Sequence, residues 1–174
     1  MKKSDISRNP SYFDRYIDQV DDIDLSEALR QSIAAIDALD FGKLQTLGDR
    51  VYAPGKWTLR DLMQHLIDCE RIFNYRALRF ARNDKTELPG FDEDRFAEYA
   101  GATRRPLEDI MRELRLVREG TIALFGSFDE AALRRTGIMF KSELPVLAVG
   151  FTIAGHQAHH FRVMEERYYP LLEA

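Results

Sequence analysis

Apolar side chains recur at helical spacing in four long stretches of the chain, with polar and charged residues between them. The first stretch predicts a helix over about 26–47, with Leu29, Ile33, Ile36 and Leu39 or Asp40 on one face. Asp24 or Ser26 can cap its start, and Gly48 can stop it. The second predicts a helix over 58–83, where Thr58 and Asp61 stand at capping-box spacing. Its stripe is Leu62, Leu66, Cys69, Phe73 and Phe80, interrupted by Arg76, and no Pro or Gly breaks it over a length of about 39 Å. A connection rich in loop formers follows from Asp84 to Ala102. The third helix is expected over 103–125, with Thr103 as cap, Pro106 in the first turn, and Ile110, Leu114, Val117 and Leu124 inward. Residues 128–137 read as a short helix and a turn. The fourth helix is expected over 143–169, with Pro145 in its first turn and Pro170 at its end.

No stretch alternates convincingly as a strand, although Arg50, Val51 and Tyr52 look extended. Four long helices with connections between them predict an all-α four-helix bundle, one domain over 1–174, and the pattern alone leaves the connectivity open. Of the 174 residues, 45% are hydrophobic and 31% charged, which suits one ordinary core. With 25 basic and 29 acidic residues the net charge is −4, so the surface is a poor match for a polyanion and no nucleic-acid partner is expected. The single cysteine, Cys69, cannot form an internal disulfide. The two lysines near the start have no apolar stretch behind them, so a cytoplasmic protein is expected. Leu144 to Phe161 is the longest uncharged run, but its glycines, Gln157 and histidines make it too polar to span a membrane.

Those histidines carry the candidate chemistry. The chain has four, His65, His156, His159 and His160. His156 and His160 stand at i and i+4, so they share a helix face and can reach one metal ion, whereas His159 is turned about 100° away. His65, beside the inward Leu66, is the remaining imidazole that can supply a third ligand from a facing helix. Three histidines would leave open positions for water or substrate, the composition of a catalytic rather than a closed structural site. The bland alternative is a set of core histidines with satisfied hydrogen bonds. The second position of the pair motif is Gln157 where zinc proteases carry Glu, and a carboxamide cannot take a proton from water, so that protease chemistry is disfavoured.

Asp68, three residues after His65, can orient an imidazole or act as a base, and otherwise reads as a solvated or salt-bridged residue. Cys69 sits in the apolar stripe and reads as an inert buried thiol more readily than as a ligand. Arg76 and Arg79 can hold an anionic substrate if they face a pocket; pairing with the acidic Asp92, Glu93 and Asp94, or facing water, is the simpler expectation. Trp57 reads as a packing anchor.

The run from Tyr52 through Trp57 and His65 to Arg71 resembles the segment around the first metal ligand of the DinB-like superfamily. The run Ile153 to Phe161, holding His156, His159 and His160, resembles its second signature, and the likeness extends from about Tyr12 to Leu171. The resemblance implies up-down-down-up connections and a divalent metal, zinc or nickel, held by His65, His156 and His160, with His159 outside the ligand set. It implies a homodimer and an unknown small-molecule substrate. Members are provisionally described as metal-dependent hydrolases, and some relatives transfer low-molecular-weight thiols. A metal-binding protein without turnover is the remaining alternative, and an open coordination position beside a cavity would speak against it.

Overall fold

The computed structural model describes residues 1–7 and 12–173. Eight α-helices and one hairpin are present among them: α1 (Asp14–Ile17), α2 (Leu25–Asp37), α3 (Phe41–Leu47), α4 (Leu59–Ala81), α5 (Glu93–Ala100), α6 (Leu107–Gly126), α7 (Glu130–Arg134), β1 (Thr136–Met139), β2 (Ser142–Pro145) and α8 (Val146–Val163). A π-helical turn over Met164–Tyr168 and a 3-10 turn over Tyr169–Leu172 extend α8. None of these helices is long and apolar enough to cross a membrane.

α2, α4, α6 and α8 form the bundle. α4 packs on α6 and α8, and α2 packs on the same two, so α2 and α4 lie on one diagonal. Two apolar clusters fix the directions. One contains Leu29 near the start of α2, Phe80 near the end of α4, Phe125 near the end of α6 and Leu147 at the start of α8. The other contains Ile36, Leu62, Ile110 and Phe161, from the opposite ends of the same helices. The order is therefore up-down-down-up, with parallel α4 and α6 joined by the long segment that carries α5.

The helix starts follow local chemistry. Thr58 accepts from the backbone N–H of Asp61 at 3.2 Å, and Asp61 accepts from the N–H of Thr58 at 3.0 Å, so the capping box forms. The helix expected over 26–47 is two helices, because Asp40 leaves the inward stripe to cap α3, accepting from the N–H of Lys43 at 3.1 Å. Within the expected loop, Asp92 likewise caps α5, accepting from Arg95 N–H at 3.0 Å. α6 starts after Pro106 and not at Thr103, since a residue preceding proline avoids the helical region and Arg105 is extended. α8 similarly starts after Pro145.

The hairpin is the element the pattern does not predict. β1 and β2 pair antiparallel from Thr136 opposite Pro145 to Met139 opposite Ser142. Phe140 and Lys141 make its two-residue turn, both at positive φ, 54° and 61°. Such turns ordinarily announce themselves with Asn-Gly or Asp-Gly, and this one has neither.

A buried polar layer crosses the middle of the bundle. Arg118 on α6 is 1% exposed and donates from Nε to Oε1 of Glu70 on α4 at 2.7 Å and from Nη2 to Oε2 at 2.9 Å. Its Nη1 donates to the Ser32 hydroxyl on α2. The Thr121 hydroxyl also bonds Glu70, at 2.5 Å, and Gln157 on α8 donates to the Ser32 carbonyl at 2.7 Å. Removing one partner of a buried pair leaves the other charge uncompensated, whereas replacing both with apolar residues of similar volume does not. Arg118→Met should therefore destabilise by about 3–5 kcal/mol and Glu70→Leu with Arg118→Met by much less; urea titration of the single and double variants checks this.

α1 crosses α8 at Gly155. A Cβ there would stand 1.9 Å from the Tyr16 carbonyl oxygen, and main chain cannot rotate aside as a side chain can. Gly155→Ala is expected to push α1 off α8 and to cost about 1–3 kcal/mol, read as a fall in melting temperature of several degrees. An unchanged melting temperature would show that α1 does not dock as described.

Candidate metal centre

His65 comes from α4, two turns after its cap, and His156 and His160 from consecutive turns of α8. α4 and α8 are antiparallel neighbours, so the three rings meet between them. Nε2 of His156 lies 3.1 Å from Nε2 of His65 and 3.1 Å from Nε2 of His160. The ring of Trp57 packs on His65 with centroids 4.7 Å apart, and Tyr16 on α1 meets His156 edge-on at 5.0 Å. The N-terminal segment thus closes over the cluster, through a long-range contact that no local pattern signals.

His65 and His156 are buried, His160 is half-buried, and the surroundings favour the neutral form of all three rings. Burial pushes the pKa of His65 down to about 4 and that of His160 down to about 3, with the neighbouring His65 adding to the latter. Burial first, then His160, lowers His156 well below the ordinary value. Each neutral ring nitrogen carries either a proton or a lone pair. His156 Nε2 has two ring nitrogens beside it and can satisfy one of them fully, either as donor or as acceptor. His160 Nδ1 is also buried and has no partner among the described residues. The cluster holds more ring nitrogens than hydrogen bonds, and a cation among converging lone pairs removes that mismatch. Neutral imidazoles are the form that coordinates, so the residues present fit a divalent ion.

Cys69, one turn beyond His65, joins the group: its Sγ lies 3.6 Å from both His65 ring nitrogens. Ligand atoms of His65, Cys69 and His156 all fall within 4.8 Å of one another. Burial, followed by Glu93 and Asp68, raises the thiol pKa far above neutrality, so at pH 7 the sulfur is a protonated thiol.

Asp68 has other partners. It accepts from Gln64 Nε2 at 2.9 Å and lines an outer cavity of about 580 Å³ with Arg71, Arg95 and Tyr99, a wall without histidines. Burial raises its pKa. His159 is half-buried against Tyr16, ring centroids 5.6 Å apart, with Nδ1 3.5 Å from Arg162 Nη2. Gln157 faces Ser32 and not the imidazoles. Beside His156 and Cys69 lies a second cavity, of about 210 Å³, walled by Tyr12, Phe13, Tyr16, Phe73 and Arg76 and by residues at the start of α5.

Residues 24–164 match the DinB superfamily, a span that contains all four histidines. An Oceanobacillus iheyensis protein provisionally named a metal-dependent hydrolase is 26% identical over 113 residues, which is 64% of this chain and 64% of that relative's own length. The match thus spans just under two thirds of the relative. Among solved structures, YfiT from Bacillus subtilis, provisionally described as a metal-dependent hydrolase with an unusual four-helix bundle topology, is similar with a TM-score of 0.66 over 95% of this chain and 90% of that one, at 18% identity. That likeness shows the shared fold.

The depressed histidine pKa values fix the sign of a pH effect. Above pH 6.5 the rings are neutral folded and unfolded, and contribute nothing differential. Below 6.5 the unfolded chain takes up protons that the folded chain refuses until about pH 4 to 3, so stability falls with pH. Chelator-treated protein is expected to lose roughly 2 kcal/mol for each of His65 and His160 between pH 7 and pH 5, read from urea midpoints. A flat midpoint over that window would mean the rings are hydrated and not buried.

Proposed function

The chain belongs to the DinB superfamily, and we propose that it is a metal-dependent hydrolase of small molecules whose divalent ion, zinc or nickel, is held by His65, His156 and His160. The observation that carries this reading is the position of His156 Nε2, 3.1 Å from a ring nitrogen of His65 and 3.1 Å from one of His160, next to the cavity of about 210 Å³ that His156 lines. Imidazoles already neutral at pH 7 coordinate without first losing a proton. The Cys69 thiol would have to be deprotonated against its burial, which favours His160 as third ligand over Cys69. The cavity on the open side favours turnover over a purely structural ion, because a closed site leaves no place for substrate.

Such an ion, when bound, polarises a carbonyl or phosphoryl oxygen and makes water a better nucleophile near neutral pH. The chain's own groups bind and orient. Trp57 fixes the ring plane of His65, and Tyr16 holds that of His156. The aromatic wall excludes bulk water from one side of the substrate, and the Gln157 amide nitrogen donates to α2 and not to the imidazoles. The experiment is hydrolysis of a panel of small esters, amides and phosphoesters by untagged, metal-loaded protein, with His156→Ala as control. Turnover that persists in His156→Ala overturns the reading.

Metal content tests the ligand set directly. His65→Ala, His156→Ala and His160→Ala should each reduce bound metal from about one equivalent to less than a tenth, while His159→Ala retains it. Cys69→Ser separates the two possible third ligands: full occupancy is expected, and metal loss equal to that of His156→Ala would put the sulfur in the ligand set instead of His160. Chelation of loaded wild type should lower its melting temperature, since an ion present at a hundred times its dissociation constant stabilises the native state by about 2.7 kcal/mol.

A further inference from the structure

Arg76 is 3% exposed, as deeply placed as Arg118, yet the two guanidinium groups are treated differently. Arg118 has both oxygens of Glu70. Among the described residues Arg76 has no carboxylate within ion-pair distance, and its side chain makes one hydrogen bond, from Nη2 to the Pro89 carbonyl at 2.6 Å. The simple sequence expectation of a partner in Asp92, Glu93 or Asp94 is not met by an ion pair. Its guanidinium lies 6.0 Å from the Phe73 ring centre and 5.8 Å from that of Phe91. Arg76 therefore keeps most of its five N–H donors without a protein acceptor, in the wall of the same cavity that His156 lines. A largely buried cation with no carboxylate in ion-pair contact is stabilised by an anion that reaches its free N–H groups from the cavity.

We propose that Arg76 is the substrate-anchoring residue of this cavity and that it binds the carboxylate of a small monoanionic molecule, whose apolar body lies among Phe13, Phe73, Phe91 and Phe140 and whose reacting group faces His156. The proposal rests on the hydrolase reading for the identity of the reacting end, and on Arg76 alone for the charged end. Charge count selects the anion. Asp92 and Glu93 line the same cavity, so a second negative charge on the ligand would meet two carboxylates. A planar carboxylate matches the guanidinium fork with two parallel hydrogen bonds, and the walls offer aromatic faces to the remainder. Pro89 sets the geometry: its carbonyl holds one edge of the guanidinium and leaves the others for a ligand.

The test compares 3-phenylpropanoate with its neutral amide, 3-phenylpropanamide, and with the dianion phenyl phosphate. Each is titrated into metal-loaded full-length protein and again after chelation, with binding followed by NMR. The carboxylate should bind at least tenfold more tightly than the amide in both states, and more tightly than the phosphate, because a charge-assisted pair is worth more than a neutral one. In wild type the Arg76 Nε–H resonance should shift with the carboxylate and not with the amide, a readout that needs no variant. Arg76→Met should abolish the carboxylate preference, and Arg76→Lys should keep part of it. Equal binding of acid and amide, no carboxylate binding at millimolar concentration, or a preference that survives in Arg76→Met overturns the proposal. A preference confined to metal-loaded protein also overturns it, since the anion is then on the ion. A preference that persists with and without metal supports Arg76 whatever the outcome of the turnover assay with His156→Ala, so the two readings can fail separately.

Discussion

The buried pair of Glu70 and Arg118 is the constraint around which the bundle is arranged. Two opposite charges at 3% and 1% exposure tolerate little displacement, because any movement that breaks the paired hydrogen bonds leaves a charge in a medium of low dielectric constant. The pair joins α4 to α6, two parallel helices whose connection is the longest in the bundle and could otherwise let them slide. Ser32 and Gln157 carry the same network into α2 and α8. Four apolar stripes can slip against one another more readily than helices tied by a buried, doubly hydrogen-bonded ion pair.

That register is also what brings the histidines together. Glu70 stands five residues after His65 on α4, and Gln157 follows His156 directly on α8. Fixing Glu70 and Gln157 in the polar layer sets the height of both histidines, so the imidazoles meet without a loop to place them. Sites built on helix interiors in this way keep their geometry better than sites built on loops. The remaining freedom is in the ring planes, and Trp57 and Tyr16 remove much of it. Gly155 is what permits Tyr16 to come so close, so a backbone feature on α8 decides the lid over the adjoining histidine.

Burial gives the same region two opposite kinds of electrostatic character. The imidazoles respond by losing their charge, which leaves lone pairs free to coordinate, and Cys69 responds by keeping its proton. Arg76 cannot respond in that way, because a guanidinium stays protonated at any relevant pH. The cavity between them therefore presents neutral nitrogen donors at one side and a fixed positive charge at another, with aromatic rings between. That asymmetry is the basis for proposing an amphipathic monoanion as the ligand of the cavity.

The periodicity of apolar positions carried the four long helices, the Thr58 cap of α4 and the face shared by His156 and His160, because each depends on residues within one or two turns. The break before α3, the start of α6 after Pro106 and the helix at 93–100 rest on local signals too, but there a cap or a pre-proline residue outweighs the hydrophobic spacing. The hairpin had no such signal, since Phe140 and Lys141 hold positive φ without glycine. Likewise, the sequence marked Arg76 as an interruption of a stripe and could not say that it is buried without a carboxylate. Which polar groups meet across 13 or 48 residues depends on how the elements are stacked and not on their spacing along the chain. Residue type and short-range spacing determined the elements and the candidate ligands. Only the packed bundle decided which polar groups found partners and which one was left facing a cavity, because pairing of buried charges is settled by the position of every helix at once.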